Sequence, residues 1–498
     1  MNLKKRYIVI LLVAALLLGA GGSYVGVQLA QSEDGQSEIS SGNADLTTEE
    51  SQFLDLSNDE QKQLLSKMQD MQKVIKAYEL IKGNYVEKIE DKELIEGAVQ
   101  GMLNTLEDPY SVYMDKETVE EFNHQIESSF EGIGAEVSMV EGKVTIIAPI
   151  KDSPAEDAGL KPNDQILTVN GESVEGLDLY DAVSKIRGEQ GTKVTLEIQR
   201  PGVEDLLTID LIRDDIPLET VYSETKEIDG KKAGIIEITS FSEKTAERFH
   251  EELTKLEEAG IEGLVIDVRG NPGGLLPAVE EILKNFIPKD SPYLQIEDRD
   301  GKKSRYFSEL KEAKDYPVSV LINEGSASAS EILAVSMKEA GGYDVVGTTS
   351  FGKGTVQQTV PMGDGSTIKL TLFKWLSPDG NWIHKKGVEP TVKVKQPEYY
   401  YTNPIQIKEP LTYNQSNDKI ANAQVMLNGL GYDPGREDGF FSKETVEAVK
   451  SYQSDQGIDV TGEINKQTAE KLQASVVEKI TNGENDNQME KALEVLFQ

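Results

Sequence analysis

The chain has 498 residues, of which 38% are hydrophobic and 28% are charged. This length is too great for one core and predicts roughly three to four domains. The chain has no cysteine, which excludes a thiol nucleophile, a disulfide framework and a cysteine-ligated metal site. Its 51 basic and 87 acidic residues give a net charge of −36, which argues against nucleic acid as a partner because phosphates require basic patches. The three histidines form no H-E-x-x-H pair, so a zincin is excluded; we expect no metal and no cofactor.

The N-terminal segment has the pattern of an export signal. Lys4, Lys5 and Arg6 precede an uncharged, largely apolar run over residues 7–32, an order that places the rest of the chain outside the cytoplasm. The run reaches the ~20 residues that span a bilayer, and no clear A-x-A cleavage site follows. Residues 1–32 are therefore interpreted as a membrane anchor on the extracytoplasmic side of a bacterial cell; cleavage would instead give a secreted protein.

A linker and a helical arm are predicted next. Residues 33–58 are rich in Ser, Glu, Asp and Gly, a composition typical of flexible linkers. From residue 59 to 128, apolar side chains recur at three- and four-residue steps, as in amphipathic helices. The first of them are Leu64, Leu65, Met68, Met71, Val74, Ile75 and Tyr78. Because such helices pack on a neighbour, we expect a homodimer formed through the helical N- and C-terminal segments.

Residues 129–214 predict short strands and two helical pieces. Three motifs mark this region: G-I-G-A at 132–135, S-P-A-E-D-A-G-L at 153–160 and D-Q-I-L-T-V-N-G at 164–171. Together they resemble a PDZ domain of the bacterial arrangement. Successive backbone N–H groups at Ile133, Gly134 and Ala135 can bind a C-terminal carboxylate, and the following strand can accept the peptide. The alternative is a glycine turn in an ordinary sheet.

Arg187 ends a predicted helix of this domain. A cation at a helix C-terminus is favourable on electrostatic grounds alone. Arg187 could instead contact a partner domain or a bound peptide, which would make it a regulatory residue.

Three later segments carry the chemistry. An apolar strand at 264–268 leads into a glycine-rich turn, whose backbone N–H groups can approach an anion. A second apolar strand, at 318–322, leads into the serines Ser326, Ser328 and Ser330 at a helix start, where each competes for a capping role. In the third segment, Lys353 lies between two glycines, and strand alternation places Lys353, Thr355 and Gln357 on one face.

These segments carry the motifs R-G-N-P-G-G at 269–274, S-A-S-A-S-E at 326–331 and F-G-K-G-T-V-Q-Q at 351–358. In this order they resemble the C-terminal processing peptidases, or tail-specific proteases, over about residues 60–400. The resemblance implies a serine protease core at 215–400 with Ser328 as nucleophile, Lys353 as general base and Gln357 orienting the lysine. It also implies an oxyanion hole formed by the N–H of Ala329 and that of Gly273 or Gly274.

The lysine imposes a physical requirement. It can act as a base only if its pKa falls well below about 10.4, and desolvation produces that shift by disfavouring the ammonium form. The site must therefore be buried when active, so a moving PDZ domain could assemble or dismantle it. Trp375, Trp382 and His384 are expected to serve packing rather than catalysis.

The C-terminal part is predicted as a separate module. Residues 401–420 read as a linker, and residues 421–475 resemble a small three-helix peptidoglycan-binding domain; a purely structural helical unit is the alternative. A helical tail at 476–492 is expected to pack on the N-terminal arm. Residues 493–498, L-E-V-L-F-Q, look like the remnant of a protease site from expression vectors and are excluded from the predicted fold.

The sequence thus predicts an α+β multidomain protein: a helical arm, a PDZ domain, a mixed protease core and a three-helix domain. The leading hypothesis is an exported serine endopeptidase that processes protein substrates near their C-termini, gated by its PDZ domain. Its expected partners are the C-terminal tails of proteins, peptidoglycan and, through residues 1–32, the membrane. The alternative is a wall-tethered PDZ adaptor with an inactive protease-like body.

Overall fold

The computed structural model describes residues 58–126, 129–140, 142–150, 153–177, 179–201, 203 and 205–498. The expected membrane anchor and nearly all of the expected linker at 33–58 lie outside these residues. Across the described ranges, no helix is both long enough and apolar enough to cross a membrane. The chain divides into two compact units, the first ending at Glu107 and the second running from Asp108 to Gln498.

The first unit is helical. It contains α1 (Asn58–Asn84) and α2 (Asp91–Asn104). The carboxylate of Asp91 accepts a hydrogen bond from the Tyr78 hydroxyl at 2.7 Å and lies 2.6 Å from the Lys82 ammonium, which ties the two helices together. Several large apolar side chains of these helices are exposed, including Met71, Val74, Leu80, Ile81 and Ile95.

The second unit begins inside the predicted helical arm. Strand β1 (Val112–Met114) and helix α3 (Lys116–Ile126) open it. β1 pairs antiparallel with the strand Thr367–Leu376 of the protease region. The second unit therefore begins before the arm boundary expected at residue 128, because backbone pairing with a distant strand draws β1 into this unit. The 3.6-residue periodicity could not show a pairing across more than 250 residues.

The PDZ region contains eight strands and two helices: β2 (Ser129–Gly132), β3 (Ala135–Val140), β4 (Lys143–Pro149), α4 (Pro154–Asp157), β5 (Gln165–Val169), β6 (Glu172–Ser173), α5 (Leu179–Ile186), β7 (Lys193–Gln199), β8 (Leu207–Ile212) and β9 (Asp214–Pro217). The main sheet has the order β3-β4-β5-β7-β8, with β6 beside β5, while β2 pairs with β9. Alternate residues of β7, Val194, Leu196 and Ile198, are fully buried, as expected for strands with one face on a core.

The protease region contains ten strands and three helices: β10 (Val221–Ile228), β11 (Lys231–Ile238), α6 (Thr245–Glu258), β12 (Gly263–Asp267), α7 (Leu276–Leu283), β13 (Pro292–Glu297), β14 (Lys303–Phe307), β15 (Val318–Ile322), α8 (Ala329–Glu339), β16 (Asp344–Gly347), β17 (Thr355–Pro361), β18 (Thr367–Leu376) and β19 (Val392–Lys393). A six-stranded sheet has the order β10-β11-β12-β15-β16-β19 and is parallel from β11 onward. A five-stranded sheet contains β1, β18, β13, β14 and β17.

Both faces of the six-stranded sheet are covered, as parallel strands require. Helices α6, α7 and α8 pack on one face, against side chains such as Ile236 and Ile266. The opposite face, which includes Ile235 and Val265, packs against the last helix of the chain. Strands β12 and β15 are therefore buried along their whole length.

The C-terminal part holds a short 3-10 helix (Glu398–Tyr401), then α9 (Asp418–Gly429), α10 (Lys443–Asp455), α11 (Lys466–Thr481) and α12 (Asn487–Leu496). Helices α9 to α11 form a three-helix core in which Ile420, Phe441, Tyr452 and Leu472 are buried. The N-cap side chains Asn417, Ser442 and Asn465 each accept a backbone N–H in the first turn of these helices, which stabilises their starts.

Two boundaries of this module differ from the prediction. Within the expected linker at 401–420, Ile405 and Leu411 are buried in the three-helix core, and Leu411 forms a backbone bridge with Ile464. Helix α11 continues past the expected boundary at residue 475, because Val476 packs into the same core. Apolar side chains separated by polar stretches join the domain here, and composition alone could not assign them to it.

The chain end also differs from the prediction. Helix α12 packs on the six-stranded sheet of the protease region, where the tail was expected to pack on the N-terminal arm. Leu493 and Leu496, which belong to the segment excluded from the predicted fold, are 4% and 5% exposed. The expectation that residues 493–498 take no part in the fold is therefore wrong, because their leucines complete the covered face of the sheet.

Candidate active site

The three sequence motifs meet at one edge of the six-stranded sheet. The R-G-N-P-G-G turn follows β12, the serine segment follows β15, and the glycine–lysine segment follows β16. These strands are neighbours in a parallel sheet, and the crevice outside the carboxyl ends of such strands is where ligands bind in open α/β sheets. The fold thus brings together segments that are separated by about 50 and 20 residues in the sequence.

Ser328 lies at a sharp turn between β15 and α8. It is the N-cap of α8 and has φ 55° and ψ −110°, a positive φ that is uncommon outside glycine and occurs at strained functional sites. Its side chain is half-buried. The neighbouring N–H of Ala329 is the first donor of α8, where the helix dipole favours developing negative charge.

Ser326 and Ser330 have structural roles instead. Both are fully buried. The Ser326 hydroxyl donates to the carbonyl of Val268 at 2.7 Å, and the Ser330 hydroxyl donates to the carbonyl of Asn271 at 2.9 Å. The two serines therefore fasten the nucleophile turn to the R-G-N-P-G-G turn, which leaves Ser328 as the serine that faces the crevice.

Lys353 is half-buried beside the nucleophile turn. Its Nζ lies 4.8 Å from the centre of the Tyr110 ring, over the ring face. Burial lowers the pKa of Lys353 below its ordinary value, and the nearby positive charge of Lys369 lowers it further, while Asp108 and Glu331 act in the opposite direction. The direction of the shift is the one that a lysine base requires.

Glu331 joins the serine and lysine segments. Its carboxylate is fully buried and accepts hydrogen bonds from the N–H of Ser328 at 2.8 Å, of Lys353 at 2.8 Å and of Gly352 at 2.6 Å. The Ser350 hydroxyl also donates to it, at 2.6 Å. One carboxylate therefore sets the spacing of the two segments.

Glu331 and Tyr110 were missed in the sequence analysis. Glu331 stands three residues after Ser328, the spacing of an S-x-x-E capping box, and that signal could have identified it. Tyr110 precedes β1, far from the other motifs, and no local pattern connects it with Lys353. The pairing of β1 with β18 brings it there.

The glycine turn offers one free candidate donor. The N–H of Gly273 donates to Asn271 Oδ1 at 2.8 Å, whereas none of the hydrogen bonds among described residues uses the N–H of Gly274. A Cβ on Gly273 would lie 2.8 Å from Ser328 Cβ and 2.9 Å from the Ala329 nitrogen. The turn therefore packs directly against the nucleophile, and Gly274 is the better candidate for the oxyanion donor.

The Gln357 amide forms its hydrogen bonds with residues other than Lys353. Its amide nitrogen donates to Thr355 and Thr371, at 3.0 Å each. Strand β17 begins at Thr355 and has a register shift between Val356 and Gln357. Thr355 and Gln357 share a face, as alternation predicts, but Lys353 lies before the strand and outside that alternation.

The packing residues lie where the sequence suggested. Trp375 is fully buried and donates from its ring N–H to the Lys353 carbonyl at 2.8 Å. Trp382 donates in the same way to the Gly354 carbonyl at 2.7 Å and stacks on His384 at 5.0 Å between ring centres. These side chains support the backbone at the lysine and at the residue that follows it. The described part of the chain contains no group of three or more His, Cys, Asp or Glu that could hold a metal ion.

The PDZ residues line a second concave site. Ile133, Gly134 and Ala135 border a cavity of about 210 Å³, together with Phe130, Val137, Val183, Ile186 and Arg187. The Arg187 guanidinium lies 5.1 Å from the centre of the Phe130 ring. Arg187 thus belongs to the rim of this apolar cavity, beside the backbone segment expected to bind a carboxylate.

Family models match four parts of the chain. The model for peptidase family S41 matches residues 232–394, that for a PDZ domain matches 145–200, and that for a peptidoglycan binding domain matches 416–472. The model for the activating protease CtpB N-terminal domain matches residues 16–118. These matches agree with the PDZ, protease and three-helix regions of the fold.

Two curated relatives from Bacillus subtilis (strain 168) match most of the chain. The carboxy-terminal processing protease CtpB is 52% identical over 495 residues, which cover 99% of this chain and all of the relative. The carboxy-terminal processing protease CtpA is 43% identical over 424 residues, which cover 85% of this chain and 90% of the relative. The predicted family and enzyme class are thereby confirmed: the chain belongs to the C-terminal processing proteases of peptidase family S41 and is a serine-type peptidase.

Proposed function

We propose that this peptidase is an exported endopeptidase that cuts protein substrates near their C-termini with a Ser328–Lys353 dyad. The neutral Lys353 amine takes the Ser328 proton as Oγ attacks the scissile carbonyl. The oxyanion then accepts hydrogen bonds from the N–H groups of Ala329 and Gly274. The lysine ammonium returns the proton to the departing amine, and water hydrolyses the acyl-enzyme through the same base.

The buried Glu331 carboxylate is the observation that best supports the Ser328–Lys353 dyad. It binds the backbone N–H of Ser328 and that of Lys353 at the same distance, 2.8 Å. A nucleophile and a partly desolvated lysine are thus held to one anchor, at the carboxyl ends of adjacent strands. A protease-like body that had lost its activity would not need this arrangement, so the adaptor alternative gains no support from it.

Substrate binding completes the site in this proposal. Lys353 Nζ lies over Tyr110, and no hydrogen bond recorded among the described residues joins it to Ser328 Oγ. Catalytic hydrogen bonds are often long before substrate binds. A swing of the lysine from the Tyr110 ring toward Ser328 would form the dyad, and a matching shift of Gln357 from its threonine partners would let it orient the amine.

The PDZ cavity supports recruitment of substrate tails. Its walls are apolar, and its mouth combines the backbone of Ile133 to Ala135 with the positive charge of Arg187. A chain end with a free carboxylate and an apolar last side chain matches both features. We infer that such tails bind here and bias the PDZ position, since only a ligand with different affinity for two states can shift their equilibrium.

The proposed location is the outer side of a bacterial membrane, with the three-helix domain facing peptidoglycan. The basic start and apolar run at 1–32 support export and anchoring. The exposed apolar side chains of α1 and α2 support packing on a second copy. Sedimentation of the chain lacking residues 1–32 would test the dimer, and detergent extraction of the full chain from membranes would test the anchor.

Casein digestion by purified variants tests the dyad. Ser328→Ala and Lys353→Ala should each lower turnover by about 10³-fold or more, since removal of a nucleophile or its base leaves only residual catalysis. Lys374→Met serves as the control, because Lys374 of β18 forms an ion pair with Glu297 of the neighbouring strand β13. Retained turnover in Ser328→Ala would overturn the assignment. A bell-shaped pH profile that disappears in His384→Ala would instead assign the base to histidine.

A further inference from the structure

Arg269, the first residue of the R-G-N-P-G-G turn, lies between two carboxylates. Its guanidinium is 2.6 Å from Asp267 and 2.9 Å from Asp486, and the side chains of Arg269, Asp267 and Asp486 are 16%, 9% and 15% exposed. Asp267 is the last residue of β12, but Asp486 lies 217 positions beyond Arg269 in the chain. A residue of the C-terminal segment therefore forms a bidentate contact with the catalytic turn.

Asp486 is itself tightly placed. As N-cap of α12 it accepts the N–H of Met489 at 2.9 Å, and it also accepts the Gln396 amide at 2.7 Å. Helix α12 is fixed on the sheet through Met489, Ala492, Leu493 and Leu496, which pack against Ala233, Ile235, Val265, Leu321 and Val346. The carboxylate thus faces the turn from a rigid element.

The turn that Arg269 begins has little freedom of its own. The N–H of Gly270 donates to Asn323 at 2.8 Å, the Asn271 amide donates to the Ile238 carbonyl at 2.7 Å, and the N–H of Gly273 donates to Asn271. A displacement of Arg269 would therefore be passed to Gly273 and Gly274. An error of about 1 Å in catalytic geometry can cost roughly 100-fold in rate.

The charges around Arg269 support a specific ion pair. Burial alone would lower the pKa of Arg269, but Asp267 and Asp486 hold it above its ordinary value. Burial alone would raise the pKa of Asp486, yet Arg269 holds it below its ordinary range. Glu237, paired in register with Asp267 across β11 and β12, has a raised pKa because of burial and the Asp267 charge. Removing one member of such a buried pair leaves the other uncompensated.

We propose that Asp486 is a positioning residue for catalysis: acting through Arg269, it holds the glycine turn where its N–H can stabilise the oxyanion. Helix α12 is then part of the working protease although it follows the three-helix domain. This inference rests on the proposed oxyanion role of the turn.

Asp486→Asn in the full chain is the direct test. Asparagine caps a helix about as well as aspartate, so the variant removes the charge toward Arg269 while it keeps the helix start. We expect kcat on a peptide amide substrate to fall roughly 10- to 100-fold with KM unchanged within about twofold. Affinity for a peptide aldehyde of the same sequence, whose adduct occupies the oxyanion position, should fall by a similar factor.

Two controls separate positioning from general destabilisation. Leu472→Ala loosens the three-helix core, away from α12, and should lower the melting temperature while kcat below the transition stays unchanged. Asn465→Ala removes the N-cap of α11, which does not contact Arg269, and should behave in the same way. If Asp486→Asn lacks a cooperative melting transition, Asp486→Glu replaces it, since the retained but displaced charge should still lower kcat.

The outcomes are distinguishable. A folded Asp486→Asn enzyme with wild-type kcat and wild-type aldehyde affinity overturns the positioning role, as does a rise in KM alone or a wild-type kcat for Asp486→Glu. Activity that survives in Ser328→Ala would instead refute the proposed dyad on which this inference depends.

Discussion

At the scale of single residues, the serines of S-A-S-A-S-E differ by what their hydroxyls contact. Ser326 and Ser330 donate to carbonyls of the segment that follows β12, inside the core. Ser328 instead occupies a strained turn at the crevice. The middle serine is therefore distinguished from its neighbours by geometry, whereas in the sequence all three are equivalent candidates for a helix cap.

Ser330→Ala and Ser326→Ala should destabilise the protein while leaving measurable turnover. Each change removes a buried hydrogen bond, which costs about 0.5–1.5 kcal/mol, while the N–H groups of Asn271 and Ala327 still donate to the same carbonyls. Thermal unfolding should show a transition lowered by a few degrees, and casein assays well below it should show activity. Complete loss of turnover in a folded Ser326→Ala variant would mean that the nucleophile register is wrong.

Lys369→Met should make the enzyme less active on the acidic side. The positive charge of Lys369 lowers the pKa of Lys353. Its removal therefore raises that pKa, and more of the base is protonated at a given pH. Because activity requires the neutral amine and rises with pH, the acidic limb of the kcat/KM profile should move to higher pH.

Lys374→Met provides the comparison for this profile, since Lys374 lies on the same strand but pairs with Glu297 at 2.9 Å. Its acidic limb should match that of the wild type. A Lys369→Met limb that stays in place or moves to lower pH would contradict the assignment of Lys353 as the base.

At the scale of elements, catalysis depends on how two turns fit together. The glycine turn after β12 packs against the start of α8 so closely that it has no room for a side chain at Gly273, where φ is 102°. Glycine is required there for both conformation and contact. The hydroxyls of Ser326 and Ser330 and the carboxylate of Glu331 also hold the nucleophile turn in place.

Gly273→Ala should lower kcat by about 100-fold, the cost of an error of about 1 Å in catalytic geometry. Its Cβ would lie 2.7 Å from the Ala327 carbonyl oxygen and 2.9 Å from the Ala329 nitrogen, so the nucleophile turn must shift. Steady-state kinetics on a peptide substrate would measure the loss.

Gly270→Ala is the matched control in the same turn. Gly270 also has a positive φ, 67°, but no atom lies within 4 Å of the added carbon. It should cost only about 1–2 kcal/mol of stability and keep most of the activity. Equal kinetic losses in both variants would show that backbone strain, and not the close packing on Ser328, explains the effect.

At the scale of the whole molecule, the second unit combines a peptide-binding module, a protease core and a C-terminal module. Arg213 links the first of these to the segment leading into the core: its guanidinium donates to the carbonyls of Ile186 and Lys185, at the end of α5. The end of α5, which Arg187 directly follows, is thus held to the connection between β8 and β9. A peptide bound in the cavity can therefore act on the connection between β8 and β9 through Arg213.

Arg187→Ala should lower turnover of a substrate with an apolar, carboxylate-ended tail, without changing the dyad. The charge that faces the tail carboxylate is lost, so kcat/KM should fall by about 10-fold or more. Amidation of the substrate tail should have a similar effect on the wild type and little further effect on the variant. Lys193→Ala, in an exposed PDZ ion pair with Asp210, should behave like the wild type.

Deletion of residues 136–200 would show whether the PDZ domain inhibits or activates the protease. A faster and less selective enzyme would show that the domain inhibits, and a folded but inactive one would show that it activates. If this deletion and Arg187→Ala both leave rate and selectivity unchanged, PDZ gating is refuted for this protein.

The sequence alone determined the order of the domains, the family and the residues proposed for the dyad, because these depend on local motifs and short-range periodicity. Glycine-rich turns after apolar strands, a serine at a helix start and a lysine between glycines can all be identified within a few residues of chain. Only the tertiary structure decided which residues from distant parts of the chain contact these motifs. Tyr110 reaches Lys353 because β1 pairs with β18. Asp486 reaches Arg269 because α12 covers the sheet. Gln357 binds Thr355 and Thr371, while Lys353 lies before β17 and outside its alternation. Such contacts depend on pairing and burial between segments far apart in the chain, and no local pattern encodes them.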